Sequence, residues 1–175
     1  GYLFPDTYRV FPEATSTEII RKMLGTMEQK VTPQMRSDIE GQGRTFHEVL
    51  TLASIVEAEV YKPEDRPLVA GIFIERMRLG IPLQADSTVN YVTGKRTSRA
   101  SAADINVDNA YNTYKYRGLP PGPIGSAGLG AITSAVYPQA SAYLYFLTTP
   151  DGVPVFSRTF EEHVAAKVKW YPSGQ

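Results

Sequence analysis

The sequence predicts an α+β domain of several packed helices with a small antiparallel sheet. Three observations predict it. Helix-start signals recur, with Ser or Thr three residues ahead of Asp or Glu at Thr15/Glu18, Thr45/Glu48, Ser101/Asp104 and Thr159/Glu162. In each pair the two side chains can satisfy each other's backbone N–H groups. Apolar residues behind these signals recur at helical rather than alternating spacing. Strand signals are confined to residues 2–11 and to a late hairpin at 143–157.

Taken in order, residues 2–11 (YLFPDTYRVF) read as extended chain interrupted at Pro5, which suits only an edge strand. Pairing with the late hairpin would cover edges otherwise exposed. The Thr15/Glu18 box opens a helix with Ile19, Ile20, Met23, Leu24 and Met27 on its apolar face. Thr32 caps a short helix with Pro33 at its first position, ending near Gly41. Residues 45–59 (TFHEVLTLASIVEAE) form the central helix. Pro67 opens a third long helix that Gly80 ends, with Val69, Ile72, Phe73 and Met77 buried. Arg66, Arg76 and Arg78 are expected in solvent, or one of them on an anionic ligand. Asp86 either caps a short helix over STVNYV or faces a cleft together with Gln84. Residues 94–100 are a basic loop, and Ser101/Asp104 starts a short helix. Residues 110–125 (AYNTYKYRGLPPGPIG) crowd aromatic and amide groups against a Pro/Gly run. That run suits either a rigid ligand-facing wall or a structural turn. Ser126 caps a small-residue helix, and YLYFL and VPVFS flank the Asp151–Gly152 turn as a hairpin. The Thr159/Glu162 box opens the last helix.

Length and a 42% hydrophobic composition suit one domain with its own core. Lys+Arg and Asp+Glu are both 18, so the basic excess of a nucleic-acid binder is missing and no nucleic-acid partner is expected. The absence of cysteine excludes disulfides, thiolate metal sites and a Cys nucleophile. The two histidines, His47 and His163, lie far apart, which argues against a His-rich metal centre. Neither cofactor nor metal is expected, and only carboxylate sites for Ca²⁺ or Mg²⁺ stay open. No apolar run of membrane-spanning length and no basic amphipathic helix occurs, so these residues alone are not expected to bind membrane. The abrupt start on GYLFPDTY reads as part of a longer protein. Eleven tyrosines suit a sugar cleft and equally half-buried strands.

The candidate acid is Glu57. At about 100° per residue it falls on the apolar arc of the central helix, in line with Phe46, Leu50 and Ala53. A carboxyl there is either a rim residue that reaches water or an Arg, or a partly buried group whose raised pKa keeps a proton for general acid catalysis. Glu59 lies at the edge of the arc.

Several stretches, in order along nearly the whole chain, carry a resemblance: GYLFPDTY at 1–8, LASIVEAE at 52–59, VAGIFIERMRLGIPLQADSTVNY at 69–91, AYNTYKYRGLPPGPI at 110–124, YLYFL at 143–147 and FSRTFEEH at 156–163. The chain resembles the YceG-like, MltG-type endolytic murein transglycosylases of bacteria. Ala85 and Ser87 depart from the family's usual L-Q-[ST]-D-P-T-V. The resemblance implies a catalytic domain over residues 1–175, with an N-terminal membrane anchor and a LysM-like subdomain outside them. It implies a lyase that cuts peptidoglycan at the outer face of the cytoplasmic membrane, near wall-synthesis proteins such as penicillin-binding proteins. It makes Glu57 the catalytic residue. With that reading, Glu59, Gln84, Asp86, Tyr91, Tyr111, Asn112, Thr113, Tyr114, Pro120 and Pro121 are expected to bind substrate. The alternatives are a muramidase-type hydrolase with a second carboxylate, such as Asp86, Glu59 or Asp104, and a non-catalytic glycan-binding module.

Overall fold

A computed structural model describes residues 1–95 and 100–172. Helices α1 (Ser16–Lys30), α2 (Pro33–Gly41), α3 (Phe46–Glu59), α4 (Arg66–Arg78), α5 (Asp86–Thr93), α6 (Leu129–Val136) and α7 (Phe160–Trp170) surround one hairpin, β1 (Tyr145–Thr148) and β2 (Pro154–Ser157). This is the α+β class that the sequence predicts.

Helix α3 is the axis of the fold. Thr45 and Glu48 form the reciprocal capping box at its start. Every residue from 49 to 56 is buried, so the helix is packed all round rather than on one stripe. Helices α6 and α4 supply most of that cover. The small side chains of Ala131 and Ala135 on α6 are fully buried, which lets the two helix backbones approach. Helix α4 meets the segment after α6 at Gly71, where an added Cβ would lie 1.9 Å from the Gln139 carbonyl oxygen. The Gln139 N–H donates in turn to Pro67 O at 2.9 Å.

The hairpin is antiparallel, with Tyr145 opposite Ser157 and Phe146 opposite Phe156. Gly152, at φ +76°, takes the left-handed position of its turn. Phe146 meets Phe73 of α4 edge-on at 5.8 Å, and Tyr145 stacks on His163 of α7 at 5.4 Å. The sheet is thus clamped between α4 and α7.

Four expectations are corrected. Residues 2–11 form no strand, and the sheet among the described residues has two strands. Pro5 has no N–H to offer a ladder, and the segment instead wedges Phe4, 5% exposed, into the core. Tyr2 packs edge-on against Phe46 at 5.9 Å. Second, Ser126 does not cap α6, which starts at Leu129 behind Gly128. Third, the Ser101/Asp104 pair closes reciprocally, but only a 3₁₀ turn at Asp104–Asn106 follows. Fourth, of the three arginines expected in solvent, only Arg78 is there, paired with Glu75 at 2.6 Å. Much of the basic loop at 94–100 falls on residues 96–99, outside the described residues. Among the described residues no helix is long and apolar enough to cross a membrane.

Two glycine substitutions separate packing from propensity. Gly71→Ala is expected to cost about 3 kcal/mol or more, because the new methyl overlaps a backbone carbonyl. Gly25→Ala, in α1 with open space around its Cβ, should add about 0.5–1 kcal/mol. Urea melts of the two variants check both signs.

Candidate active site

Positions i and i+2 on a helix point about 200° apart, so Glu57 and Glu59 leave the end of α3 on different sides. Glu57 turns towards α4 and α6. Arg66 Nη2 donates to its Oε1 at 2.6 Å, and the Gly128 N–H donates to its Oε2 at 3.1 Å. The pair is partly screened from water, with side-chain exposures of 14% for Arg66 and 33% for Glu57. Glu57 therefore ties α3 to α4 and to the start of α6, and it does not line the cleft described next.

Glu59 turns into a cleft of about 730 Å³, bounded by the end of α3, α4, the 83–87 turn, Tyr114, the hairpin and α7. Its Oε1 accepts the Ser87 N–H at 2.9 Å. Burial raises its carboxyl above the ordinary carboxylate range. Hydrogen bonding from Ser87 opposes that rise, and the neighbouring charge of Asp86 adds to it. Asp86 lines the same cleft as the first residue of α5, with Ala85 rather than Asp86 in the cap position. Its Oδ1 accepts the Tyr114 hydroxyl at 2.6 Å. Burial, then Asp86 itself, pushes the Tyr114 phenol well above its ordinary range. Tyr114 is thus a fixed neutral donor.

Gln84 also lines the cleft, in a strained conformation. Its φ of +52° is the left-handed region, costing a residue with a Cβ about 1–2 kcal/mol. Two bonds hold it there: its N–H to Thr113 O at 3.0 Å, and Arg76 Nη2 to its Oε1 at 2.7 Å.

The other expected site residues lie behind or away from this wall. Asn112, 1% exposed, spends its amide on Ile105 O and Val107 O at 3.0 and 2.7 Å. Its Oδ1 accepts from Tyr114 N at 3.0 Å. Thr113 is equally buried and bonds Thr88 Oγ1 and the Ala85 N–H. Both residues position Tyr114 and the 84–86 turn and do not themselves line the cleft. Tyr91 and Tyr111 pack on each other at 4.9 Å, away from it. The stretch from Pro121 to Ile124 braces α3 at two points. His47 Nε2 meets Pro121 O at 3.0 Å, and Ile124 N donates to Ser54 Oγ at 3.0 Å.

Four further residues line the cleft: Arg76 of α4, Tyr145 of β1, and His163 and Lys167 of α7. The sequence left Arg76 in solvent or on an anionic ligand and assigned the other three to no site. For Arg76 a signal existed, because it follows Ile72 and Phe73 by one helical turn and shares their buried face. His163 is 8% exposed. Burial, followed by the positive charges of Lys167 and Arg76, lowers its pKa to about 4.

Fold and site together define a helical α+β domain whose buried central helix delivers a carboxyl of raised pKa to a polar cleft. The sequence model of the YceG-like family matches residues 1–169, and the chain belongs to that family. It is 39% identical to the endolytic murein transglycosylase of Bacillus subtilis strain 168 over 173 residues, covering 99% of this chain and 48% of that protein. It is 38% identical to the endolytic murein transglycosylase of Streptococcus pneumoniae strain D39 over 169 residues, covering 93% of this chain and 30% of that protein. The crystal structure of a YceG-like protein of Listeria monocytogenes superposes with a TM-score of 0.89 at 38% identity, over 95% of this chain and 55% of that one. The chain thus spans about half or less of the length of the curated relatives it matches.

The low pKa of His163 makes stability depend on acid. Its folded value lies below the unfolded one, so its contribution is complete above about pH 6.5 and is lost as pH falls towards about 4. His163→Phe, which keeps a ring against Tyr145, should remove that part of the decline. Melting temperatures of both proteins across this range check it.

Proposed function

We propose that this domain cleaves peptidoglycan glycan strands internally, at the β-1,4 bond between N-acetylmuramic acid and N-acetylglucosamine, and that Glu59 is the proton donor. One observation carries the assignment: Glu59, whose pKa burial raises, lines the cleft, and Glu57 does not line it. The names of the relatives supply the substrate class. A non-catalytic glycan-binding module has no use for a desolvated carboxyl, which is costly to keep.

In this mechanism Glu59 protonates the leaving glycosidic oxygen as positive charge builds at the muramoyl C1. The muramoyl C6 hydroxyl attacks C1 and returns its proton to Glu59, leaving a 1,6-anhydro end. One carboxyl serves both steps. Asp86, fixed by Tyr114, places negative charge near the developing cation, and the Gln84 amide orients ring substituents. The family reading adds a place for the reaction, the outer face of the cytoplasmic membrane beside wall-synthesis proteins, and an anchor outside these residues.

A second reading has one observation in its favour. Asp86 shares the cleft with Glu59, and a carboxyl pair is what a hydrolase uses to activate water. Product mass separates the two, because an anhydro end is lighter than a hydrolysed end by one water. We expect the anhydro product.

Glu59→Gln should lower turnover of glycan strands by at least about 100-fold with the fold intact. Glu57→Gln should lower the melting temperature, since Arg66 loses its counter-charge, and should keep turnover per folded molecule within about threefold. The reverse pattern contradicts the assignment. The pH–rate profile adds an independent check. Ser87→Pro removes the N–H that Glu59 accepts, at a first-turn position that tolerates proline. Glu59 should then hold its proton to higher pH, and the alkaline limb should move up. Ser87→Ala keeps the N–H and should move it less.

A further inference from the structure

The cleft is lined by two acids, Glu59 and Asp86, and by three basic side chains, Arg76, His163 and Lys167. We propose that these basic side chains form a carboxylate subsite, which takes the anionic substituent of the muramoyl residue as the strand lies in the cleft. The proposal rests on the glycan-cleavage reading for its ligand and deepens it.

Arg76 is the main argument. It is 5% exposed, yet among the described residues it makes no ion pair. Its bonds go to neutral oxygens: Pro82 O at 3.0 Å, Leu144 O at 3.3 Å and Gln84 Oε1 at 2.7 Å. These leave guanidinium N–H donors unused. The face of Tyr145, 5.2 Å away, offsets only part of the cost of burying that charge. His163 is the second observation. It is more than nine-tenths buried, and its Nδ1 is buried without a hydrogen-bond partner. Lys167, one turn further along α7, is exposed and makes no ion pair among the described residues. The charges of Arg76 from α4 and Lys167 from α7 both bear on His163, while Tyr145 from β1 covers its ring. Low-dielectric walls focus such a field on whatever enters.

The sugars of the strand are neutral. Its anions are carboxylates, either on the lactyl ether of the muramoyl ring or on the peptide stem that caps that ether. Both are within the chemistry of this subsite, and the test distinguishes them.

The chain has two histidines, so carbon-detected ring resonances of His163 read the subsite directly. N-acetylmuramic acid carries a free lactyl carboxylate. N-acetylmuramoyl-L-alanyl-D-glutamate carries stem carboxylates only. N-acetylglucosamine carries none. At least one acid should shift the His163 resonances and raise its midpoint from about 4, and N-acetylglucosamine should not. The acid that acts identifies the source. Lys167→Gln should weaken that response by about tenfold, the value of one charge-assisted contact. Equal responses to all three sugars, no response to either acid, or an unchanged response in Lys167→Gln would each overturn the proposal. The same titration in Glu59→Gln separates the two readings. An intact anion response with no cleavage in wild type sinks the cleavage reading alone, and cleavage that needs Glu59 without any anion response sinks the subsite alone.

Discussion

The burial of α3 is the constraint on which the rest of the structure depends. With residues 49–56 packed on all sides, the helix beyond its first turn has no solvent face to receive a carboxylate until its last turn. There it carries two. Each needs a hydrogen-bond donor or an opening. Glu57 is met by Arg66 and by the free N–H of Gly128, and this contact also sets where α6 begins. Glu59 meets one N–H and a cleft. The same helix end therefore yields one carboxylate that joins elements and one whose pKa is raised by burial and then by the neighbouring Asp86.

The turn at 83–87 is the second fixed point, and it is fixed at a cost. Gln84 sits in the left-handed region, which is tolerable only if the surroundings over-determine it. They do so from two sides. Thr113, locked to Thr88 and Ala85, holds the backbone, and Arg76 holds the side chain. Beneath them Asn112 fixes the approach of Tyr114 to Asp86. The dense Y-N-T-Y stretch thus acts mostly one layer behind the cleft wall, with Tyr114 as the residue that reaches it.

How much of this was legible follows from what each signal reports. Capping boxes report local geometry, and Thr15/Glu18 and Thr45/Glu48 both form. The Asp151–Gly152 turn and its flanking strands are equally local, and the hairpin is where the sequence puts it. The distinction between Glu57 and Glu59 was not legible. A helical wheel assigns direction from an apolar arc, and a helix buried all round has no single inward direction. Which acid would meet Arg66 is a tertiary fact. Residues 2–11 have strand composition, but no partner edge lies beside them. Arg76 was given first to solvent and only second to an anionic ligand, although its spacing from Ile72 and Phe73 put it on the buried face.

The central claim is that Glu59 keeps its proton in the free protein where an ordinary carboxyl has lost it. The direct measurement is a pH titration of side-chain carboxyl ¹³C resonances, with Glu59 assigned by its loss in Glu59→Gln. The account predicts a Glu59 midpoint above the ordinary carboxylate range, because burial and Asp86 together outweigh the bond from Ser87. A midpoint within or below that range would contradict it.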